Sequence, residues 1–117
     1  MSHNVGGYID TGAGEEAEAF DAGNYTSNCS RMWACAIPGT FNEPEMWLGD
    51  LDGKPCGECV EILARAMGHM DNEMNRVQYE AMNPKNGWGV FESAREFLRR
   101  IFAGCQKHPL ARLHVSR

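Results

Sequence analysis

The chain has 117 residues, 43% of them apolar, and a formal net charge of -5. This length suits a single domain with a modest core. No apolar run is long enough to span a bilayer and the first residues lack the basic-then-apolar order of a signal peptide, so we expect a cytosolic protein without a membrane partner. Five cysteines, with Cys56 and Cys59 only three positions apart, favour reduced thiols over a secreted disulfide framework.

Charge is distributed unevenly along the chain. Residues 1–89 contain 14 acidic and 5 basic side chains, whereas residues 90–117 contain 2 acidic and 6 basic ones. The first acidic residues are Asp10, Glu15, Glu16, Glu18 and Asp21. The two ends either pair with each other inside the fold or form partner surfaces, the basic end for phosphates or the acidic end for a basic host protein. Because the basic residues are not interleaved with exposed aromatic residues in the pattern of a nucleic-acid-binding module, we do not expect nucleic acid to be a partner.

The beginning of the chain is rich in glycine and acid. We expect a loosely ordered acidic segment over residues 1–22, followed by a single α+β domain over residues 23–117. Within the segment, residues 5–9 are predicted to form a short edge strand and residues 15–20 one or two helical turns. Residues 24–29 alternate in polarity and are predicted to form the first strand of the domain. Ser30 is then the predicted N-cap of a short helix that directs Met32 and Trp33 into the core.

A long helical pattern starts after Pro55. Its apolar positions recur every three or four residues: Cys56, Val60, Leu63, Met67, Met70, Met74, Val77 and Ala81. An unbroken helix over residues 56–82 would be about 40 Å long at 1.5 Å per residue, which is long for so small a domain. We therefore predict a break between His69 and Asn75, where Asp71 and Asn72 end one helix and cap the next. The methionines are interpreted as adaptable core packing, although Met-rich faces also serve partners.

The last part of the chain predicts a helix and a strand. Apolar residues from Val90 to Cys105 repeat on one face of a helix that ends near Lys107, before Pro109. Residues 110–116 alternate in polarity as a half-buried strand does, and the strand at 24–29 is its expected partner. The predicted fold class is α+β, a two- or three-stranded antiparallel sheet packed against two long helices.

Residues 83–89 form the joint between the two helical patterns. A tight reversal is expected here, because Pro84 cannot continue a helix and disfavours one at Asn83, while Gly87 and Gly89 permit backbone angles closed to other residues. Trp88 is expected to pack into the angle between the helices. Alternatively, loop side chains line a recognition surface. The candidate binding residues are Asn24, Thr26, Asn28, Asn83, Asn86 and Trp88. We predict that the asparagines either hydrogen-bond the joint to the strand at 24–29 or face a shared cleft.

Cysteine and histidine spacing raises the question of a metal site. The zinc candidates are Cys56, Cys59, Cys105 and His108, since both C-x-x-C and C-x-x-H spacings are compatible with tetrahedral ligation. Small buried thiols explain the same residues, and we expect neither a metal nor another cofactor. A redox C-x-x-C motif needs a βαβ frame, which the pattern does not predict. No nucleophile motif accompanies the histidines, so we do not expect an enzyme.

Three blocks of sequence carry a resemblance. They are NYTSN at residues 24–28 with Met32 and Trp33 after it, NPKNGWG at residues 83–89, and CQKHP at residues 105–109 with the terminal strand. In this order they resemble a group of small uncharacterised proteins from tailed bacteriophages, notably those of actinobacteria, over residues 23–117. The resemblance implies a phage origin rather than a mechanism.

Two kinds of function follow from these observations. The first is a non-enzymatic phage accessory protein that binds a host protein in the host cytoplasm, for example to counteract a defence. The second is a small polar-ligand binder whose pocket holds a nucleotide-like molecule with amides, hydroxyls and an indole. A zinc-stabilised or virion-associated module is a further alternative.

Overall fold

The computed structural model describes residues 2–12, 14–26, 30–36, 51–87 and 89–116. The elements in chain order are β1 (Ser2–Asp10), β2 (Glu16–Thr26), α1 (Ser30–Ala36), α2 (Cys56–Asp71), a 3-10 turn (Glu73–Asn75), α3 (Arg76–Glu80), α4 (Phe91–Lys107) and β3 (Arg112–Ser116). Helix α4 packs against β2 and β1, and α2 packs against α4. The predicted α+β class, with a small antiparallel sheet against two long helices, is confirmed.

The sheet has the strand order β2-β1-β3, and both pairings are antiparallel. The predicted strand at residues 5–9 exists, but it is central and not at the edge: Val5 lies opposite Val115 on one side and opposite Gly23 on the other. The expected pairing of the last strand with the strand around Tyr25 is wrong, because β1 lies between them. Alternation in a sequence predicts a strand without specifying its neighbours.

The helical prediction for residues 15–20 is also wrong. These residues begin β2, which runs through Glu16–Thr26 and forms a hairpin with β1. Gly12 and Gly14 have positive φ angles of 84° and 79°, which the hairpin connection requires. Glutamate and alanine favour helix locally, but pairing with β1 overrides that preference. The segment that we expected to be loosely held thus supplies all of β1 and the first seven residues of β2.

The outer edge of β3 is covered by the chain just before α2. Leu113 accepts a backbone hydrogen bond from Gly53 at 2.8 Å and donates one to Lys54 at 2.9 Å. Pro55 then forms a bridge with Arg112. This side of the sheet is therefore closed by the protein's own backbone.

The predicted short helix and the predicted helix break are both confirmed. Met32 and Trp33 of α1 are fully buried. Helix α2 ends at Asp71, and the side chain of Asn72 accepts a hydrogen bond from the backbone N–H of Met74 at 3.0 Å. Within the described ranges, no helix has both the length and the apolar character needed to cross a bilayer.

The apolar stripe of the first helical pattern does not continue through the break. Leu63 and Met70 are buried, but Met74 is 90% exposed and Val77 is 80% exposed, so their predicted core positions are wrong. A 3-10 turn has three residues per turn rather than 3.6, and it rotates the following helix relative to α2. Tyr79 becomes the buried residue of α3 instead.

The ring of Phe20 fits between two glycines. A Cβ atom placed on Gly7 of β1 would lie 2.2 Å from one edge of the ring, and a Cβ placed on Gly104 of α4 would lie 2.3 Å from the opposite edge. His108 stacks on the same ring with centroids 5.8 Å apart. The two glycines therefore set how closely α4 approaches the sheet.

Candidate functional site

Residues 84–87 of the joint form a turn, as predicted, in which the Gly87 N–H donates to the Pro84 carbonyl at 3.3 Å. The chain just after the joint lies beside the end of β2. Gly87 and Gly89 have positive φ angles of 76° and 102°. The hydroxyl of Tyr25 accepts a hydrogen bond from the backbone N–H of Val90 at 3.1 Å, and it lies 3.4 Å from the Val90 carbonyl. The strand and the joint are thus at the same end of the molecule.

Some of the predicted binding residues interact within the protein, and the others lie outside the described residues. The side-chain oxygen of Asn83 accepts a hydrogen bond from the backbone N–H of Phe91 at 2.9 Å, so it caps the start of α4. Asn24 and Asn86 are exposed and also have interaction partners. Asn28, Trp88 and the side chain of Thr26 lie outside the described residues. A shared cleft at these positions therefore stays a prediction.

Three of the zinc candidates lie in the same part of the core. The thiols of Cys56, Cys59 and Cys105 are fully buried, the first two on α2 and the third on α4, which packs against α2. The hydrogen bond from Cys105 lowers the pKa of Cys59, against the opposing effect of burial, and nearby Lys54 lowers it further. The same hydrogen bond and burial raise the pKa of Cys105, while burial raises that of Cys56. Cys59 is therefore the preferred thiolate of the three.

The fourth zinc candidate does not join the thiols through its ring. His108 stacks against Phe20, and its backbone N–H donates to Gly104 at 2.9 Å. No group of three or more His, Cys, Asp or Glu side chains suited to a metal ion occurs among the residues that the structure describes. Cys56, Cys59 and Cys105 are free thiols buried in the core.

A second site lies on the face of the sheet opposite Phe20. Five carboxylate residues surround two adjoining depressions of about 270 and 190 Å³, which share Tyr8 as a lining residue. We call this surface the acidic sheet face; its carboxylates are Asp10, Glu15, Glu16, Glu18 and Asp21. All five residues are exposed. They come from β1, β2 and the turn between them, so the hairpin concentrates charge that the sequence spreads over twelve positions.

The basic groups near this face compensate little of its charge. Within the described part of the chain, Glu16 is the only one of the five whose carboxylate contacts a basic side chain, the His114 ring at 2.9 Å. The ring of His114 also contacts that of Tyr8 edge-on at 4.6 Å. Arg112 lines the larger depression, donates a hydrogen bond to the Gly53 carbonyl at 2.7 Å, and supplies one positive charge against the five carboxylates. The face therefore carries an excess of negative charge.

The acidic sheet face borders a strand edge. Strand β2 is at the end of the sheet, and among the described residues no strand pairs with its outer edge. Backbone N–H and C=O groups at such an edge can pair with another extended chain. An acidic face and a strand edge that no described strand covers can together recognise a basic, extended segment.

The acidic cluster was evident from the sequence, but the positions of Tyr8 and His114 beside it were not. Tyr8 and His114 lie on different strands, and they meet only because β1 is central. The alternation of Glu16 and Glu18 with alanine was the available signal, since a period of two indicates a strand. It was missed because the same residues favour a helix.

Comparison of the chain with known protein families, curated proteins and solved structures gives no match.

Proposed function

We propose that this protein is a non-enzymatic binding module that docks a basic, extended segment of another protein on the acidic sheet face. The observation that carries the proposal is the concentration of five exposed carboxylates on the β1–β2 hairpin, whose strand β2 is the terminal strand of the sheet. In an added strand, alternate side chains point to the same face of the sheet. A segment with basic residues at every second position would place them against Glu16 and Glu18 while its backbone pairs with β2.

Charge also argues against a second copy of this chain as the occupant. Antiparallel pairing of two β2 edges would bring the carboxylates of both copies together, and like charges across strands are destabilising. Acidic side chains on an edge strand discourage self-association, as charged residues generally do at such edges. A basic partner removes this repulsion and gains electrostatic steering during association.

The resemblance to small tailed-phage proteins supports placing the partner in the host cytoplasm. A phage accessory protein that occupies a basic segment of a host protein would block whatever that segment binds, and counteracting a host defence is one use of such a block. Binding of a small polar ligand at the joint is the alternative function. The use of Asn83 as a helix cap and of Tyr25 as a bridge to Val90 makes that alternative the weaker one.

The proposal can be tested with a synthetic peptide of alternating lysine and threonine, labelled with a fluorophore. Fluorescence anisotropy should show binding that weakens as salt is added, because exposed charge pairs are screened. A peptide of the same composition with its lysines in one block should bind more weakly, since it cannot present every lysine to one face of a strand.

Two charge-matched variants separate this site from general attraction to an acidic protein. Replacing Glu16 and Glu18 with glutamine should abolish preferential binding of the alternating peptide. Replacing Glu61 and Glu73 with glutamine removes the same charge from α2 and the 3-10 turn and should leave the preference intact. Equal losses in both variants, or equal binding of the two peptides, would contradict the proposed docking mode.

A further inference from the structure

The acidic sheet face includes a histidine, the type of side chain that gains or loses a charge between pH 5 and 8. The Nε2 atom of His114 lies 2.9 Å from the Oε2 atom of Glu16. Both side chains are about half exposed, at 44% and 46%, so solvent and a partner can reach the contact. Protonation of the ring converts a neutral hydrogen bond into a charge-assisted one, which is the stronger of the two.

The surroundings of His114 connect its charge to the rest of the face. Its ring contacts Tyr8 edge-on at 4.6 Å, and it lines the smaller depression together with Glu18 and Asp21. The titratable and charged residues around it are Tyr8 and Asp10 on β1, Glu16, Glu18 and Asp21 on β2, Arg112 on β3, and Asp52 and Lys54 on the segment beside the outer edge of β3. Carboxylates predominate in this set. A protonated His114 is therefore attracted to the same charges that a basic partner needs.

We propose that His114 is an internal competitor for the Glu16 carboxylate, so that the acidic sheet face binds a basic segment more tightly as the pH rises from 5.5 to 8. This inference rests on the proposed function. A protonated His114 pairs with Glu16 and adds a positive charge that repels the basic side chains of the segment. A neutral His114 removes the repulsion and leaves the charge of Glu16 to the segment. By linkage, binding of the segment drives a proton off the ring.

The other charges of the complex stay constant over this pH range. Carboxyl groups ordinarily titrate near pH 4 and lysine near pH 10.4, which lie on either side of the range. Histidine titrates inside it. The pH dependence of binding therefore reports on His114, and a variant without this ring shows directly what the remaining groups contribute.

The probe is the alternating lysine–threonine peptide with both ends blocked, and fluorescence anisotropy measures its dissociation constant at constant ionic strength. For the wild-type chain, this constant should be about two- to fivefold lower at pH 8 than at pH 5.5, the effect of about one exposed charge pair. His114→Gln keeps a polar side chain without a charge and should bind equally well at both pH values. His114→Lys carries a positive charge throughout the range and should bind weakly at both. Circular dichroism at each pH checks that the three chains are folded.

Titration calorimetry provides a second readout. In two buffers of different ionisation enthalpy at pH 6, binding of the peptide should release protons from the wild-type chain and none from His114→Gln. The same pH dependence in the wild type and His114→Gln, or equal affinity of the wild type at both pH values, would overturn the role of His114 while the proposed function stands. A peptide that binds the wild type at neither pH would overturn the proposed function and this inference with it.

Discussion

Replacing Gly104 with alanine tests the close packing of α4 on the sheet. Alanine normally stabilises a helix interior by about 1 kcal/mol relative to glycine. At Gly104, however, the added Cβ would lie 2.3 Å from the ring of Phe20, and that ring cannot move away without meeting Gly7 on its other side. We therefore expect Gly104→Ala to lower the free energy of unfolding despite its better helix propensity.

Gly68 provides a matched control for the magnitude. It lies in α2, and a Cβ there would have no neighbour within 4 Å, so Gly68→Ala should stabilise the protein. The gain in helix propensity is similar in both variants and cancels in their difference. Overpacking costs about 1–3 kcal/mol, so the free energies of unfolding of the two variants should differ by about that amount.

Urea unfolding followed by circular dichroism measures this difference. Adding Phe20→Leu to Gly104→Ala should recover part of the loss, because a smaller, flexible side chain can yield to the new methyl group, and the double-mutant cycle gives the coupling between the two positions. If Gly104→Ala stabilises the chain as much as Gly68→Ala does, the reasoning about the ring of Phe20 is refuted.

Three further predictions concern the helices. Exposed Met74 and buried Met70 should respond differently to replacement with alanine. Met74→Ala should change the free energy of unfolding by less than about 0.5 kcal/mol, whereas Met70→Ala should lower it by about 2–5 kcal/mol. Equal losses in urea unfolding would contradict the rotation of α3 at the break. Asn83→Ala removes the acceptor for the Phe91 N–H and should cost about 1 kcal/mol; an unchanged urea midpoint would contradict a capping role. Partial desolvation raises the pKa of Glu92, but hydrogen bonds from two arginines outweigh it and hold this pKa below its ordinary value. The ionised Glu92 therefore stabilises the folded state above an unfolded pKa of about 4.3, and this stabilisation is lost at lower pH. Glu92→Gln should therefore show a shallower loss of stability on acidification than the wild type, and a loss of unchanged steepness would contradict this.

The helices were predictable because their signals are local. Apolar positions repeating every three or four residues identified α2 and α4, and Asn72 marked the break between α2 and the 3-10 turn. The direction in which α3 faces was not predictable, because it depends on how far a single 3-10 turn rotates the chain. Met74 and Val77 consequently continue the sequence pattern while lying in solvent.

The sheet and the candidate sites were harder to predict because their contacts are distant in sequence. Tyr8 meets His114 only after β1 has paired with β3, and Cys59 and Cys105 enter the same core only after α2 has packed on α4. Local preference was misleading at Glu16 and Glu18, where helix-forming residues adopt a strand. The acidic composition of this segment was evident, but its placement on the terminal strand of the sheet required the fold.

The acidic sheet face can be tested most directly by nuclear magnetic resonance on the isotope-labelled chain, titrated with the alternating lysine–threonine peptide. The proposed function predicts that shifts in the backbone amide signals concentrate on residues 8–10 and 16–21, with a further shift at His114. Shifts centred instead on the joint at residues 83–89, or around Met74 and Val77, would place the binding surface elsewhere and contradict the account.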